Sequence, residues 1–148
     1  MKIKKGKSLC FFSAKGGVGK SVNILNLAGI IEQLGKKVLI LDMDFYSGSM
    51  AVSLNKKFDN SVYNLVDDLM NNRYNSLSDY VCKVDNYIDL LPAPKDPRDA
   101  NKICSKYLVD VINKAKLEYD VVLIDTNHAL NESNLTILNN VDEILFFV

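Results

Sequence analysis

"AKGGVGKS" (Ala14–Ser21) stands between a short apolar run, "SLCFFSA" (Ser8–Ala14), and a stretch with helical periodicity. A strand, a glycine loop ending in GKS and a helix, in that order, spell a phosphate-binding loop, with Ala14 where the pattern most often has glycine. Gly16, Gly17 and Gly19 let backbone N–H groups turn inward without Cβ obstruction, which makes an anion nest at a helix N-terminus. Lys20 adds a point charge suited to β- and γ-phosphates, and the Ser21 hydroxyl is suited to ligate Mg²⁺. A glycine-rich turn with an incidental lysine explains neither the preceding strand nor the GKS ending. It also leaves Lys15, at the front of the loop, without a purpose.

Two further apolar runs end in acids. "KVLILDMD" (Lys37–Asp44) reads as a buried strand closing on Asp42 and Asp44, which alternation places on one face at the same edge as the loop. One of these carboxylates is suited to support Lys20 or the water shell of a metal, and the other to orient an attacking water. "DVVLIDT" (Asp120–Thr126) supplies Asp125 after four apolar residues, the Walker B arrangement that holds Mg²⁺ directly or through water. The expected metal set is therefore Ser21, Asp42 and Asp125, with Asp44 as the water-positioning residue. His128 follows closely but reads as an ordinary loop histidine, because phosphoryl transfer to water needs mainly positioning and charge. The seven tyrosines are scattered and read as packing residues.

The remainder of the chain alternates strand and helix. Ile24, Leu27, Ala28, Ile31 and Leu34 make one helix face, with Gly35 as its stop. Residues 48–81 are mostly polar with short helical patches, and "NYIDLLPAP" (Asn86–Pro94) reads as a strand stopped by prolines. Ile103, Tyr107, Leu108, Val111 and Ile112 predict one long helix over 96–119; another covers about 133–140, and "VDEILFFV" (141–148) is strand-like. This pattern predicts an α/β, three-layer P-loop NTPase fold, a mostly parallel sheet with helices on both faces. Residues 1–148 form one domain in this reading. An apolar strand with nothing after it to cover it makes the fold look truncated at its C-terminus.

Composition narrows the partners. Eighteen basic residues balance eighteen acidic ones, so no global field attracts nucleic acid or anionic lipid. "MKIKKGK" (Met1–Lys7) reads as a solvated tail. No apolar run approaches the roughly 20 residues that span a bilayer. Cys10, Cys82 and Cys104 show no metal-site spacing and read as reduced thiols, which places the protein in the cytoplasm.

"KGGVGKS" resembles the deviant Walker A motif of the ParA/MinD ATPases, with "LDMD" similar to that family's first switch and "VVLIDT" to its Walker B. What the resemblance implies is an ATP- and Mg²⁺-dependent homodimer in which Lys15 of one subunit reaches the phosphates bound by the other. The implied nucleotide-binding set is Lys15, Gly16, Gly17, Val18, Gly19, Lys20, Ser21 and Val22. Lys15, Lys20 and Asp44 would carry a weak ATPase activity. Within the family, "DMDFYSGSMAVSLN" and "LLPAPKDPRDANKI" look like the CpaE/TadZ group of Flp/Tad pilus assembly. That implies a dimerisation switch positioning pilus or secretion machinery through an unidentified protein partner, at the inner membrane face or a cell pole. The alternatives are a division-site or DNA-partition ATPase, or a nucleotide-binding scaffold with little hydrolysis; a tyrosine autokinase would need a tyrosine-rich tail. Val22 stands where many relatives carry a hydroxyl for the α-phosphate, and "DTNHAL" replaces their "DTPPG"-like turn.

Overall fold

The structure is a computed structural model that describes residues 5–13, 19–45, 49–129 and 131–147. Strands β1 (Lys7–Ser13), β2 (Val38–Met43), β3 (Cys82–Lys83), β4 (Ile88–Leu91), β5 (Val121–Thr126) and β6 (Glu143–Phe147) form one sheet. Its order is β3-β4-β2-β5-β1-β6, with every neighbouring pair parallel except β3 against β4. The parallel sheet foreseen from the alternating pattern is the observed one. β3 is too short for its alternation to register in the sequence.

Helices α1 (Lys20–Gln33) and α2 (Ser49–Ser53) lie on one face of the sheet. There Ile24, Ala28 and Met50 pack with Phe11, Val38, Ile40, Leu90 and Leu123. Helices α3 (Val62–Met70), α5 (Lys106–Glu118) and α6 (Glu132–Asn140) lie on the other face. Their Leu65, Leu108, Val111, Ile112 and Ile137 pack with Cys10, Leu39, Leu41, Leu91, Val122 and Ile124. β2 shows why its sequence is almost continuously apolar: all six of its residues are buried, odd ones against one helix layer and even ones against the other. Helix starts follow their side chains. Ser61 caps α3 by accepting from the Tyr63 N–H, while Asn64 reaches back to the Ser61 N–H at 2.8 Å.

Three expectations change. The long helix over 96–119 is two, α4 (Pro97–Ala100) and α5. Asn101, Cys104 and Ser105 fall between them, residue types of modest helix propensity, two of which compete for backbone hydrogen bonds; Ile103 stays buried without being helical. Leu34 caps α1 and is 71% exposed, because the chain turns there. The Gly35 and Lys36 N–H groups bond back to Glu32 and Ile31 at 2.8 and 3.3 Å, the stop expected of Gly35. Of the basic start, residues 1–4 lie outside the described residues, but Gly6 and Lys7 are more than a solvated tail. The Gly6 N–H donates to the Lys116 carbonyl at 2.7 Å, and Lys7 opens β1 with an N–H to Asp120 O at 3.0 Å.

Cys10 is buried, Cys82 and Cys104 are partly buried, and all three are free thiols. Among the described residues no helix is long and apolar enough to cross a membrane.

Gly6 sits so close to the α5–β5 connection that a Cβ there overlaps Tyr119 O and meets Asp120 O at 2.8 Å, both backbone atoms. Gly6→Ala therefore has to push the sheet's entry strand away from β5, at a cost of about 1–3 kcal/mol. Thermal unfolding should show a melting temperature lower by roughly 2–12 °C, given about 2–4 °C per kcal/mol at this chain length. An unchanged melting temperature contradicts this packing.

Candidate functional site

The site lies where β1, β2 and β5 end, the crevice in which open α/β sheets bind ligands. Gly19 is the N-cap of α1 at φ 76°, a left-handed conformation that glycine adopts without penalty. Helical geometry then starts at Lys20, so Lys20 and Ser21 occupy the first turn, facing the strand ends. Asn23 secures that turn, its side-chain N–H₂ donating to Gly19 O at 3.0 Å.

Both first-turn side chains converge on one buried carboxylate. The Lys20 ammonium lies 2.8 Å from Asp125 Oδ1 and also donates to the Thr126 carbonyl. The Ser21 hydroxyl donates to Asp125 Oδ2 at 3.2 Å. Asp125 is 1% exposed, and no described hydrogen-bond donor is aligned on its Oδ1 apart from the facing ammonium. Burial raises its pKa, and the Lys20 charge opposes that rise.

Asp42 is the direct neighbour of Asp125 in the β2–β5 register, and alternation turns both toward the α1 face, with Ile40 and Leu123. Strands that pair lie about 4.8 Å apart, so two carboxylates share a dry space. Asp42 accepts from the backbone N–H groups of Asp44 and Met50, at 3.2 Å each. These two bonds do not offset burial and the Asp125 charge, and the Asp42 carboxyl is pushed up to about 7. Asp44 lies one residue past β2, half-buried, and its charge also acts on Asp125. The three acids predicted from sequence are thus brought together with Lys20 and Ser21. Lys15, Gly16, Gly17 and Val18 lie outside the described residues. Val22 is 62% exposed.

Mg²⁺ prefers hard oxygens, takes one or two carboxylates and keeps several waters. Ser21 Oγ and the under-bonded Asp125 carboxylate suit it, with Asp42 adjacent. Among the described residues no three Asp, Glu, His or Cys side chains form a cage for an ion, which this mode of Mg²⁺ binding does not require.

Three contributors were not legible beforehand. The Thr126 hydroxyl donates to Phe11 O at 2.9 Å, tying β5 to β1, while its carbonyl receives Lys20. Met50 supplies a backbone N–H to Asp42, a role no side-chain pattern announces. Asn134, 1% exposed, holds the segment after β5: its N–H₂ donates to Asn127 Oδ1 at 2.5 Å and to Ala129 O at 2.6 Å. The asparagines of "DTNHALNESN" were the available signal. His128, between the two held residues, is exposed.

The family model described as AAA domain matches residues 6–148. The chain is 28% identical over 147 residues to the chromosome partitioning protein ParA of Myxococcus xanthus, covering 95% of this chain and 51% of that one. It is 31% identical over 137 residues to the tyrosine-protein kinase YwqD of Bacillus subtilis, covering 91% and 56%. The septum site-determining protein MinD of Pyrococcus horikoshii, solved with Mg-ADP, superposes with a TM-score of 0.81 at 23% identity, over 97% of this chain and 58% of that one. That last likeness concerns the fold. The chain spans about half the length of the curated relatives it matches.

The Asp42 environment sets a pH dependence. A carboxyl raised from the ordinary Asp value to about 7 binds its proton more tightly in the folded chain than in the unfolded one. Its contribution to stability is fully present below about pH 4 and is lost as pH rises through 7. Asp42→Asn removes that titration. With EDTA present and no nucleotide, urea unfolding should show wild type losing on the order of 2–4 kcal/mol relative to Asp42→Asn between pH 4.5 and pH 8. A difference constant across that window overturns the assignment.

Proposed function

The chain belongs to the AAA-domain family, among its ParA/MinD-type P-loop ATPases, and on that premise we propose that it binds ATP with Mg²⁺ and hydrolyses it slowly as a dimerisation switch. The observation that carries this reading is the convergence of Lys20 and Ser21 on Asp125, at 2.8 and 3.2 Å. A phosphate-binding cation and two hard-oxygen ligands for a divalent ion meet at the mouth of a glycine loop. The MinD structure with Mg-ADP supports the choice of ligand.

In this reading the residues from Lys15 to Val22 hold the nucleotide. Lys20 bears on the β- and γ-phosphates, and the backbone N–H groups of the loop neutralise the remaining charge. Ser21 and Asp125 would hold Mg²⁺, with Asp42 beside them, and the ion would supply charge neutralisation at the phosphate oxygens. Asp44 orients the water that breaks the terminal phosphoanhydride bond. Lys15 is lent to the partner subunit's phosphates, in the manner of an arginine finger. Contacts made only in the ATP-bound dimer shift the monomer–dimer population, and hydrolysis removes them.

We further infer a CpaE/TadZ-like task, positioning pilus or secretion machinery. Its support is the "DMDFYSGSMAVSLN" and "LLPAPKDPRDANKI" segments. A second reading, a partition or division-site ATPase, is favoured by the likeness to the Myxococcus ParA.

Two variants test the switch. Lys20→Ala, checked for folding by circular dichroism, should weaken binding of a non-hydrolysable ATP analogue at least about 100-fold in calorimetry, by loss of a charge-assisted phosphate contact in a partly dry site. Retained tight binding refutes the phosphate-loop assignment. Lys15→Ala should bind the analogue within about threefold of wild type yet sediment as a monomer where wild type sediments as a dimer. Normal dimerisation of that variant returns Lys15 to a solvated charge.

A further inference from the structure

A second concavity, about 510 Å³, opens beside the site on the same edge of the sheet. It lies past the ends of β2 and β4, against α2 and the segment that follows it. Its floor is apolar: Phe45 and Ala51 are buried there, Phe58 is half-buried, and Val52 stands 80% exposed at its side. Its charged wall has one sign in excess. Lys56, Lys57 and Lys95 line it against the single carboxylate of Asp59. The Lys95 ammonium sits 4.8 Å from the centre of the Phe58 ring, so a cation is held over the apolar floor. A chain of zero net charge thus carries a local basic groove where the whole-chain balance shows none.

We propose that this groove docks an acidic segment of a partner protein, seating one bulky apolar side chain on Phe45, Ala51 and Phe58 and its carboxylates on Lys56, Lys57 and Lys95. Complementarity of charge gives the sign of the partner, and the apolar floor gives the anchor. Its volume falls in the range of clefts that enclose a small organic ligand, ample room for one bulky side chain. The groove is also wired to the nucleotide site. Ala51 and Val52 face the groove, while Met50, the residue before them in α2, gives its N–H to Asp42. Phe45 directly follows Asp44. An occupant that shifts α2 changes the support of the acids that face Lys20, and by linkage nucleotide changes the affinity for that occupant. This coupling, though not the docking itself, rests on the proposed nucleotide-dependent switch.

The probe is a fluorescein-labelled decapeptide of glutamates around one central phenylalanine, titrated against the full chain by anisotropy. Saturable binding is expected, weakening as salt is raised. The double variant Lys56→Glu, Lys95→Glu, both at positions partly or fully exposed, should lower affinity at least about tenfold. The titration is run on the nucleotide-free wild-type chain with EDTA, so peptide binding is read whether or not the chain takes up ATP, which separates this proposal from the fate of the nucleotide assignment. Absence of binding at millimolar peptide overturns the proposal. So does equal binding of a peptide with lysine in place of glutamate, or of phenylpropionate alone, which carries ring and carboxylate without a peptide backbone. Should the chain self-associate in a manner the double variant abolishes, the occupant is a second copy and the partner assignment fails.

Discussion

A single buried carboxylate organises this end of the molecule. Asp125 is almost fully enclosed at the close of a strand that is itself covered on both faces, and burial of an ion is tolerated only with a partner and hydrogen bonds. Lys20 and Ser21 meet that demand from the first turn of α1. The start of the helix, the direction of the glycine loop's exit and the end of β5 are therefore fixed relative to one another by one charge. The left-handed Gly19 is the backbone consequence, since the chain must reverse sharply to bring the helix over the strand ends.

Placing Asp42 in register with Asp125 works against that economy. Two acids on adjacent strands and one face repel, and one of them keeps its proton near neutrality. A stable fold alone has no use for the arrangement; a hydrophobic residue at either position would pack as well as Ile40 or Leu123 do one layer below. The cost is intelligible where a divalent cation and phosphate charges are to be received, because a site with surplus negative charge beside a movable ammonium is poised for a cation. The N–H groups of Asp44 and Met50, both on Asp42, anchor the chain on either side of residues 46–48.

Much of this was legible in the sequence because the physics involved is local or periodic. Strand, glycine loop and helix announce themselves by apolar runs and by the GKS ending, and Asp42, Asp44 and Asp125 by position after such runs. The register that makes Asp42 and Asp125 neighbours is not local: it follows from β5 inserting between β1 and β2, which no short window encodes. The break between α4 and α5 escaped for a different reason, since Ile103 keeps the helical spacing while sitting between the two helices. Thr126 receives Lys20, and Met50 supports Asp42, through backbone atoms, which every residue possesses. Asn134 lies on a helix whose polar spacing looks like a solvated face; tertiary contact with Asn127 and Ala129 buries it.

The segment after Asp125 bears on how such a site would sense its ligand. Asn134 ties Asn127 and Ala129 to α6, while Asn131 caps that helix by accepting from the Asn134 N–H at 2.8 Å. One buried amide therefore links the helix cap to the backbone just beyond the Asp125 and Thr126 contacts. Buried polar networks of this kind hold a unique geometry only while every member is satisfied, so losing one contact releases several. A displacement of Lys20 toward phosphate removes a donor from Thr126 O and a charge from Asp125 together, and Asn127 is the next residue to feel it. Asn127 and Ala129 are thus held by side-chain amides, the Ala129 N–H donating to Asn127 Oδ1 at 2.9 Å as well. Amide hydrogen bonds, unlike a proline ring torsion, can be exchanged for others, so Asn127 and Ala129 keep this position only while the Asn134 side chain stays in place between them and α6.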